Sequence, residues 1–392
     1  MSLKMCTRNS NDGIAPRFRG VRWAGPKLAI ALAAVPLVLI ATACSSGSPS
    51  STGGSSSPSS VSTAGTASKA LPSDAGRVLG SCTAVSCTVY KSIPWASLKG
   101  KTFGNLQVVA VEGVERWTNV LASCIQSHGG KLVNVNLQGN VTNAPGVISG
   151  WLSQHYAGIF DIGTDLDYSS LLAQAQSEKV PVITWAGQSS SPDLTEINDD
   201  QVKGGEEMAQ YLVKQLGTKF SVVIEGNSTN KALDRRVQGV QAVFAQYPGI
   251  KVQVVQVANL TSAGSFQATG PVLQANPNVQ AIVGADGDLA VGIAQAVAAA
   301  KSKAIVTGFD GNQADYNAVR SGGPYKMVVA AANEIGGQLA CETMAVRLAG
   351  GKAPAAEMLL EPIPVYANDL PPKGQYLKTA REVTVDLNPA AG

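Results

Sequence analysis

The sequence predicts an α/β protein of two successive lobes, each built on a doubly wound parallel sheet. Three observations carry this. Short β-branched runs alternate with helical patterns from Asn105 onward. Those runs are mostly apolar, as strands covered on both faces of a parallel sheet are expected to be. The alternation restarts at Asp200 with no break in composition, so there are two such series. A chain of 392 residues, 45% hydrophobic and 15% charged, can bury two cores of ordinary size.

In chain order, the first 43 residues read as an export signal. Lys4, Arg8, Arg17, Arg19, Arg22 and Lys27 stand against Asp12 alone, and an uncharged run from Leu28 to Ala43 follows. A basic start, an apolar centre and small residues at the end make a secretory signal. The run contains Pro36 and is shorter than the ~20 residues a bilayer span needs. The absence of an Arg-Arg pair favours the general secretory route over the twin-arginine one. This basic segment hides the charge of the rest: the whole chain sums to +3, the other 349 residues to −2. The rest therefore has no basic footprint for nucleic acid. Ala41-Thr42-Ala43-Cys44 resembles the end of a bacterial lipoprotein signal, which implies acylation of Cys44 as the mature N-terminus. Residues 44–80 are expected to be a tether. Ser45–Thr66 holds eleven serines with Gly and Pro among them, and has almost nothing to bury.

Residues 81–101 read as a short disulfide-bearing extension. With Cys6 in the signal and Cys44 lipidated, Cys82, Cys87, Cys124 and Cys341 remain, and an exported location permits bridges. Cys82 and Cys87 lie in one turn-like stretch, so a local Cys82–Cys87 bridge is the simplest pairing. Cys124–Cys341 is left by elimination. A zinc site would need a second close cysteine pair, and His128 and His155 are the only histidines. No metal or cofactor is implied.

The first lobe's strands are expected at 106–111, 131–137, 158–163 and 180–185, with helices near 117–128, 145–155 and 168–178. The second series opens with a helix at 202–216, which puts Met208, Leu212 and Leu216 on one face and stops at Gly217. A strand at 220–224 leads to a helix at 230–246, where Leu233, Val237, Val240 and Phe244 share a face and Pro248-Gly249 closes it. Strands at 250–257, 280–285, 304–309 and 326–331 then alternate with helices at 264–275 (interrupted by Pro271), 288–301 and 312–320. A last helix at 334–349 ends at Gly350-Gly351. Ligands of open parallel sheets bind beyond the carboxyl ends of the strands, so the space between the lobes is the expected site.

Several segments resemble the sugar-binding branch of type I periplasmic binding proteins, the ribose- and galactose-binding proteins of ABC importers. They are VPVITW (180–185), DQVKGG (200–205), LQANPNVQAIVGADGDLAVGIAQAV (273–297), TGFDGN (307–312) and IGGQLACETMAVRLAGG (335–351). Their order and spacing over about 100–360 carry the resemblance. It implies Rossmann-like lobes of flavodoxin-type strand order joined by a three-strand hinge. Lobe 1 would be 102–198 and 333–358, and lobe 2 would be 199–332 and 359–392. Cys124 and Cys341 would then share lobe 1.

The resemblance also implies ligand contacts. Asp310 matches the family carboxylate that accepts sugar hydroxyls; the competing reading is a helix N-cap. Asp286 stands at the family's ligand-binding Asn, again with an N-cap as alternative. Asp234 or Arg235 falls at the family's arginine, and Arg236 matches a second one; solvated helix surface is the alternative. Trp117 and Trp185 are candidates to stack on a ring, or to pack inside the lobe. Glu112 and Asn333 are further candidates. The chain departs from ribose binders at Ala186-Gly187 and Ala330, where they carry Asp-Arg and Gln. The ligand is therefore expected to be another sugar, a polyol or a similar small polar solute.

The function implied is an extracytoplasmic solute-binding lipoprotein that closes on its ligand, acts as a monomer and delivers to an ABC permease. It would sit on the outer face of the cytoplasmic membrane, at the cell surface or in the periplasm. The alternative is a sensory lipoprotein read by a membrane receptor kinase. No GxSxG, P-loop, HExxH or CxxC motif supports an enzyme, and both histidines sit at expected helix ends.

Overall fold

A computed structural model of the chain describes residues 77–83, 89–162, 169–185, 195–354 and 357–377. The export signal, Cys44, most of the tether, Cys87 and Ala186-Gly187 lie outside the described residues, as does the side chain of Cys82. The Cys82–Cys87 bridge therefore falls outside them too.

The elements in chain order are β1 (Arg77–Thr83), β2 (Thr102–Gln107), α1 (Glu112–Ser127), β3 (Lys131–Asn136), α2 (Ala144–Ser153), β4 (Gly158–Ile162), α3 (Ser169–Ser177), β5 (Val182–Trp185) and β6 (Thr195–Asp199). There follow α4 (Gln201–Leu216), β7 (Ser221–Gly226), α5 (Lys231–Phe244), β8 (Lys251–Gln256), α6 (Ser262–Ala275), β9 (Ala281–Gly284), α7 (Gly287–Ala299) and β10 (Ile305–Asp310). The last are α8 (Gln313–Arg320), β11 (Tyr325–Ala330), α9 (Asn333–Leu348), β12 (Glu357–Glu361) and β13 (Ile363–Tyr366). Two short 3₁₀ turns, Trp95–Leu98 and Val141–Asn143, complete them.

The strands form two sheets, ordered β1-β12-β6-β5-β4-β2-β3 and β13-β11-β10-β9-β7-β8. Every pairing is parallel except that of β11 with the edge strand β13. In each sheet the second strand of the series lies outside the first, which is the flavodoxin-type order the sequence predicts. Among the described residues the chain passes between the sheets three times: from β6 into α4, from β11 into α9, and from β12 into β13. These crossings are the three-strand hinge. β12 extends the first sheet to Glu361, beyond the expected boundary at 358/359. β1 likewise runs across the expected tether boundary at 80/81, pairing Arg77 with Met358 and Thr83 with Glu361.

Most elements lie within a few residues of expectation; β2 does not. The strand expected at 106–111 is Thr102–Gln107, because the buried positions are Phe103–Gln107. Val109 and Val111 are exposed, and Val111 already caps α1. Asn105 and Gln107 hid the strand, yet both amide nitrogens find acceptors inside: Asn105 Nδ2 donates to Asn134 Oδ1 at 2.8 Å, and Gln107 Nε2 to Thr118 Oγ1 at 2.7 Å. β6 was missed for the same reason. Its TEIND is buried throughout, with Asp199 accepting the Ala332 N–H at 2.8 Å from the next crossing strand. The two expected cores are present around the two sheets.

Candidate functional site

In the second lobe the site is built around a buried arginine. Arg236, on α5, is 6% exposed, and its guanidinium lies face-on 3.6 Å from the Phe309 ring. Its Nε donates to Gln201 Oε1 at 2.6 Å; its Nη1 donates to the Ala285 carbonyl at 2.9 Å and to Asp310 Oδ1 at 3.0 Å. Asp310 Oδ2 accepts the Gly287 N–H at the start of α7, at 2.9 Å. Asp310 is therefore fixed through both oxygens at the carboxyl end of β10. Its φ is +83°, a conformation that costs a residue with a Cβ and that clusters at functional sites. The other four non-glycine residues with positive φ among the described residues, Gln138, His155, Lys179 and Lys301, sit at exposed positions in turns or after helices.

Asp310 does not cap α8. The N–H of Asn312, which caps α8, donates instead to Asp315 Oδ2 at 2.9 Å. Asp286 does cap its helix, accepting the Leu289 N–H at 2.8 Å through Oδ1. Burial, and after it the negative charge of Asp310, hold the Asp286 carboxyl above the ordinary range. Asp315, fully buried beside them, is raised for the same two reasons. A cluster of carboxyls with one paired arginine thus lines the ends of β9 and β10.

The facing half, in the first lobe, comes from the starts of α1 and α9. Glu112 is the first residue of α1, and Arg116 follows one turn later. Arg116 is paired with Glu334 through Nε at 2.7 Å and Nη2 at 2.8 Å. Its Nη1 reaches across to the Gly311 carbonyl of the second lobe at 3.1 Å. Asn333 is 1% exposed at the start of α9, and its Nδ2 has no hydrogen-bond partner among the described residues. It lies against Gly113, the α1 residue after Glu112.

The remaining expected contacts fall elsewhere. Trp117 has no exposed surface and stacks on Trp185, centroids 5.8 Å apart, inside the first lobe's core. Because α1 starts at Glu112 rather than near 117, Trp117 is a second-turn residue turned inward, with its ring edge-on to Phe160. Trp185 shares the core-facing side of β5 with Ile183. In this structure the two rings stack on each other within the first lobe's core. Asp234 accepts from Gln238 Nε2 at 2.7 Å along its own helix, and Arg235 pairs with Glu357 of β12 at 3.3 Å. The arginine that meets Asp310 is Arg236, and its spacing from Leu233 and Val240 on the buried face of α5 was the available signal. Nothing local marked Arg116 beyond its one-turn spacing from Glu112.

Residues 128–353, more than half of the chain, match the family described as periplasmic binding protein domain. The chain belongs to that family. Among its relatives is the D-apiose import binding protein of Actinobacillus succinogenes, 28% identical over 135 residues, which are 34% of this chain and 44% of the relative. Another is the ribose import binding protein of Haemophilus influenzae, 28% identical over 153 residues, 38% of this chain and 52% of the relative. The matched segment thus spans about half the length of each. A solved periplasmic solute-binding protein from Actinobacillus succinogenes with bound D-allose superposes with a TM-score of 0.64 at 19% identity, over 69% of this chain and 98% of that one. At that identity the likeness shows the shared fold of periplasmic binding proteins. Such a family implies an extracytoplasmic location.

Proposed function

We propose that this periplasmic binding protein captures a neutral sugar or polyol between its lobes and delivers it to an ABC permease, as a lipoprotein anchored through Cys44. The observation that carries the reading is Asp310, held at positive φ by Arg236 and the start of α7, beside Asp286 and opposite Glu112 and Arg116. Building such an arrangement costs conformational energy, which fits a group positioned to accept a ligand's hydroxyls. Both arginines are already paired with carboxylates, so an uncharged solute suits the cleft better than an anion. The relatives named for apiose and ribose binding support the substrate class. A ligand touching both lobes binds the closed form better and draws the population toward it.

The test is a thermal-shift screen of the purified chain against pentoses, hexoses, pentitols, hexitols and their acidic counterparts. The reading expects one or a few neutral compounds to raise Tm in a concentration-dependent way. Stabilisation confined to sugar acids or phosphates would contradict it.

A further inference from the structure

The segment after β13 reaches out of the second lobe and grips the first. It is fastened to its own lobe by the Pro371 carbonyl, which accepts from Arg320 Nη2 at 2.6 Å, and by the Gln375 carbonyl, which accepts from Gln313 Nε2 at 2.8 Å. Leu370, Tyr376 and Leu377 pack on the second lobe's core. From this base the Tyr376 hydroxyl donates to Glu112 Oε1 of the first lobe at 2.7 Å. The same oxygen accepts the Gln313 N–H at the start of α8, also at 2.7 Å. The Arg116 guanidinium lies 3.8 Å over the Tyr376 ring while its Nη1 holds the Gly311 carbonyl.

We propose that Tyr376 is a positioning residue that latches the lobes together, through Glu112 and Arg116, and so favours the closed arrangement over the open one. Glu112 and Arg116 stand one turn apart on one face of α1, and every partner they share across the cleft belongs to the second lobe. Opening the hinge must separate all of these pairs together. Glu112 is therefore a lobe-to-lobe contact: its Oε1 is already committed to two donors. A carboxylate acceptor makes these bonds stronger than neutral ones. The Tyr376 proton is held firmly, since burial and then the bond to Glu112 push the phenol up to about 12. A free protein that is partly closed spends less of the solute's binding free energy on closure, and its apparent affinity rises with the closed fraction.

The latch itself is independent of the solute-binding reading; its effect on affinity rests on that reading. Tyr376→Phe keeps the ring under Arg116 and removes only the hydroxyl. Fluorescent labels at the exposed positions 119 on α1 and 317 on α8 of the full chain would report the lobe-to-lobe distance without solute. The expected result is a shift of the ligand-free population toward longer distances by roughly tenfold in the open-to-closed ratio, with Tm nearly unchanged. Glu112→Gln should do the same, and the double variant should add little to Glu112→Gln. For a solute found by screening, Tyr376→Phe should weaken binding by up to that factor, in proportion to the fall in the closed fraction, mainly through faster release. Identical ligand-free distances in wild type and Tyr376→Phe would overturn the latch. If distances and affinity are both unchanged while a sugar still binds, the latch falls and the solute reading stands. If no sugar binds wild type but the distances shift, the latch stands and the solute reading falls.

Discussion

The two lobes share one architecture but are assembled from the chain in different ways. The second is nearly one stretch, from α4 to β11, closed by β13. The first is drawn from distant pieces: β1, the run from β2 to β6, and then α9 with β12 after the chain has run through α4 to β11 of the second. In both, a pair of helices meets almost backbone to backbone. A Cβ on Gly205 of α4 would lie 2.1 Å from the Arg236 carbonyl oxygen of α5, and one on Gly337 of α9 would lie 2.3 Å from that of Trp117 on α1. The α4–α5 pair is adjacent in sequence. The α1–α9 pair is not, and it is there that Cys124 and Cys341 are bridged, 217 residues apart. A staple contributes most where the loop it closes is longest. The covalent bond thus sits where chain entropy most opposes assembly.

The strongest way to break this comparison is to remove the staple. Cys124→Ser with Cys341→Ser should destabilise the first lobe by about 2–4 kcal/mol. Denaturation should then separate into two transitions, the earlier one belonging to the first lobe; a single unshifted transition would count against the account. Next in size is Gly205→Ala. Its backbone clash should cost about 1–3 kcal/mol and lower the second lobe's transition, although that lobe has no cysteine between residues 200 and 330 to lose. Gly337→Ala should act on the first lobe, and more strongly once the bridge is gone.

A smaller effect comes from pH. Glu342 of α9 is 1% exposed, and burial pushes its carboxyl to about 8, with Gln338 as its hydrogen-bond donor. Its native value lies above the unfolded one, so the native state holds the extra proton between the two. Stability is therefore full at low pH and declines as pH rises toward 8, by roughly 1 kcal/mol per pH unit. Asp199, raised by burial to about 6, works in the same sense at lower pH. Glu342→Gln should flatten the fall in Tm between pH 6 and 8; an unchanged slope would show that Glu342 ionises without hindrance.

Much of this fold was legible in the residues because both sheets are dominated by apolar strands with strong helical faces between them. What escaped was polar and buried. Strand β6, TEIND, and the Asn105 and Gln107 positions of β2 read as loop until long-range hydrogen bonds are known. Motif matching singled out Asp286 and Asp310, which the structure brings together at the ends of β9 and β10. Where the other candidates lie was decided by geometry that no motif carries. The start of α1, displaced from 117 to 112, turned Trp117 into the core and brought Glu112 to the opposite lobe. Arg235 and Arg236 differ by about 100° around α5, so adjacent arginines ended on different partners. Tyr376 lies beyond the last periodic segment, where no local pattern announces a contact.

The central claim is that Asp310 accepts a solute between closing lobes, and calorimetric titration of Asp310→Asn tests it most directly. Asparagine tolerates the positive φ and can still accept from Arg236 through its one oxygen, giving up the bond from the Gly287 N–H, so the backbone is retained while the charged acceptor is lost. With a sugar or polyol identified by screening, wild type should bind one equivalent, and Asp310→Asn should bind it about tenfold or more weakly, the loss of a hydrogen bond to a charged group. The unliganded variant should keep its far-UV spectrum and a cooperative melt. Equal affinity in the two proteins would contradict the claim and move the ligand away from the end of β10.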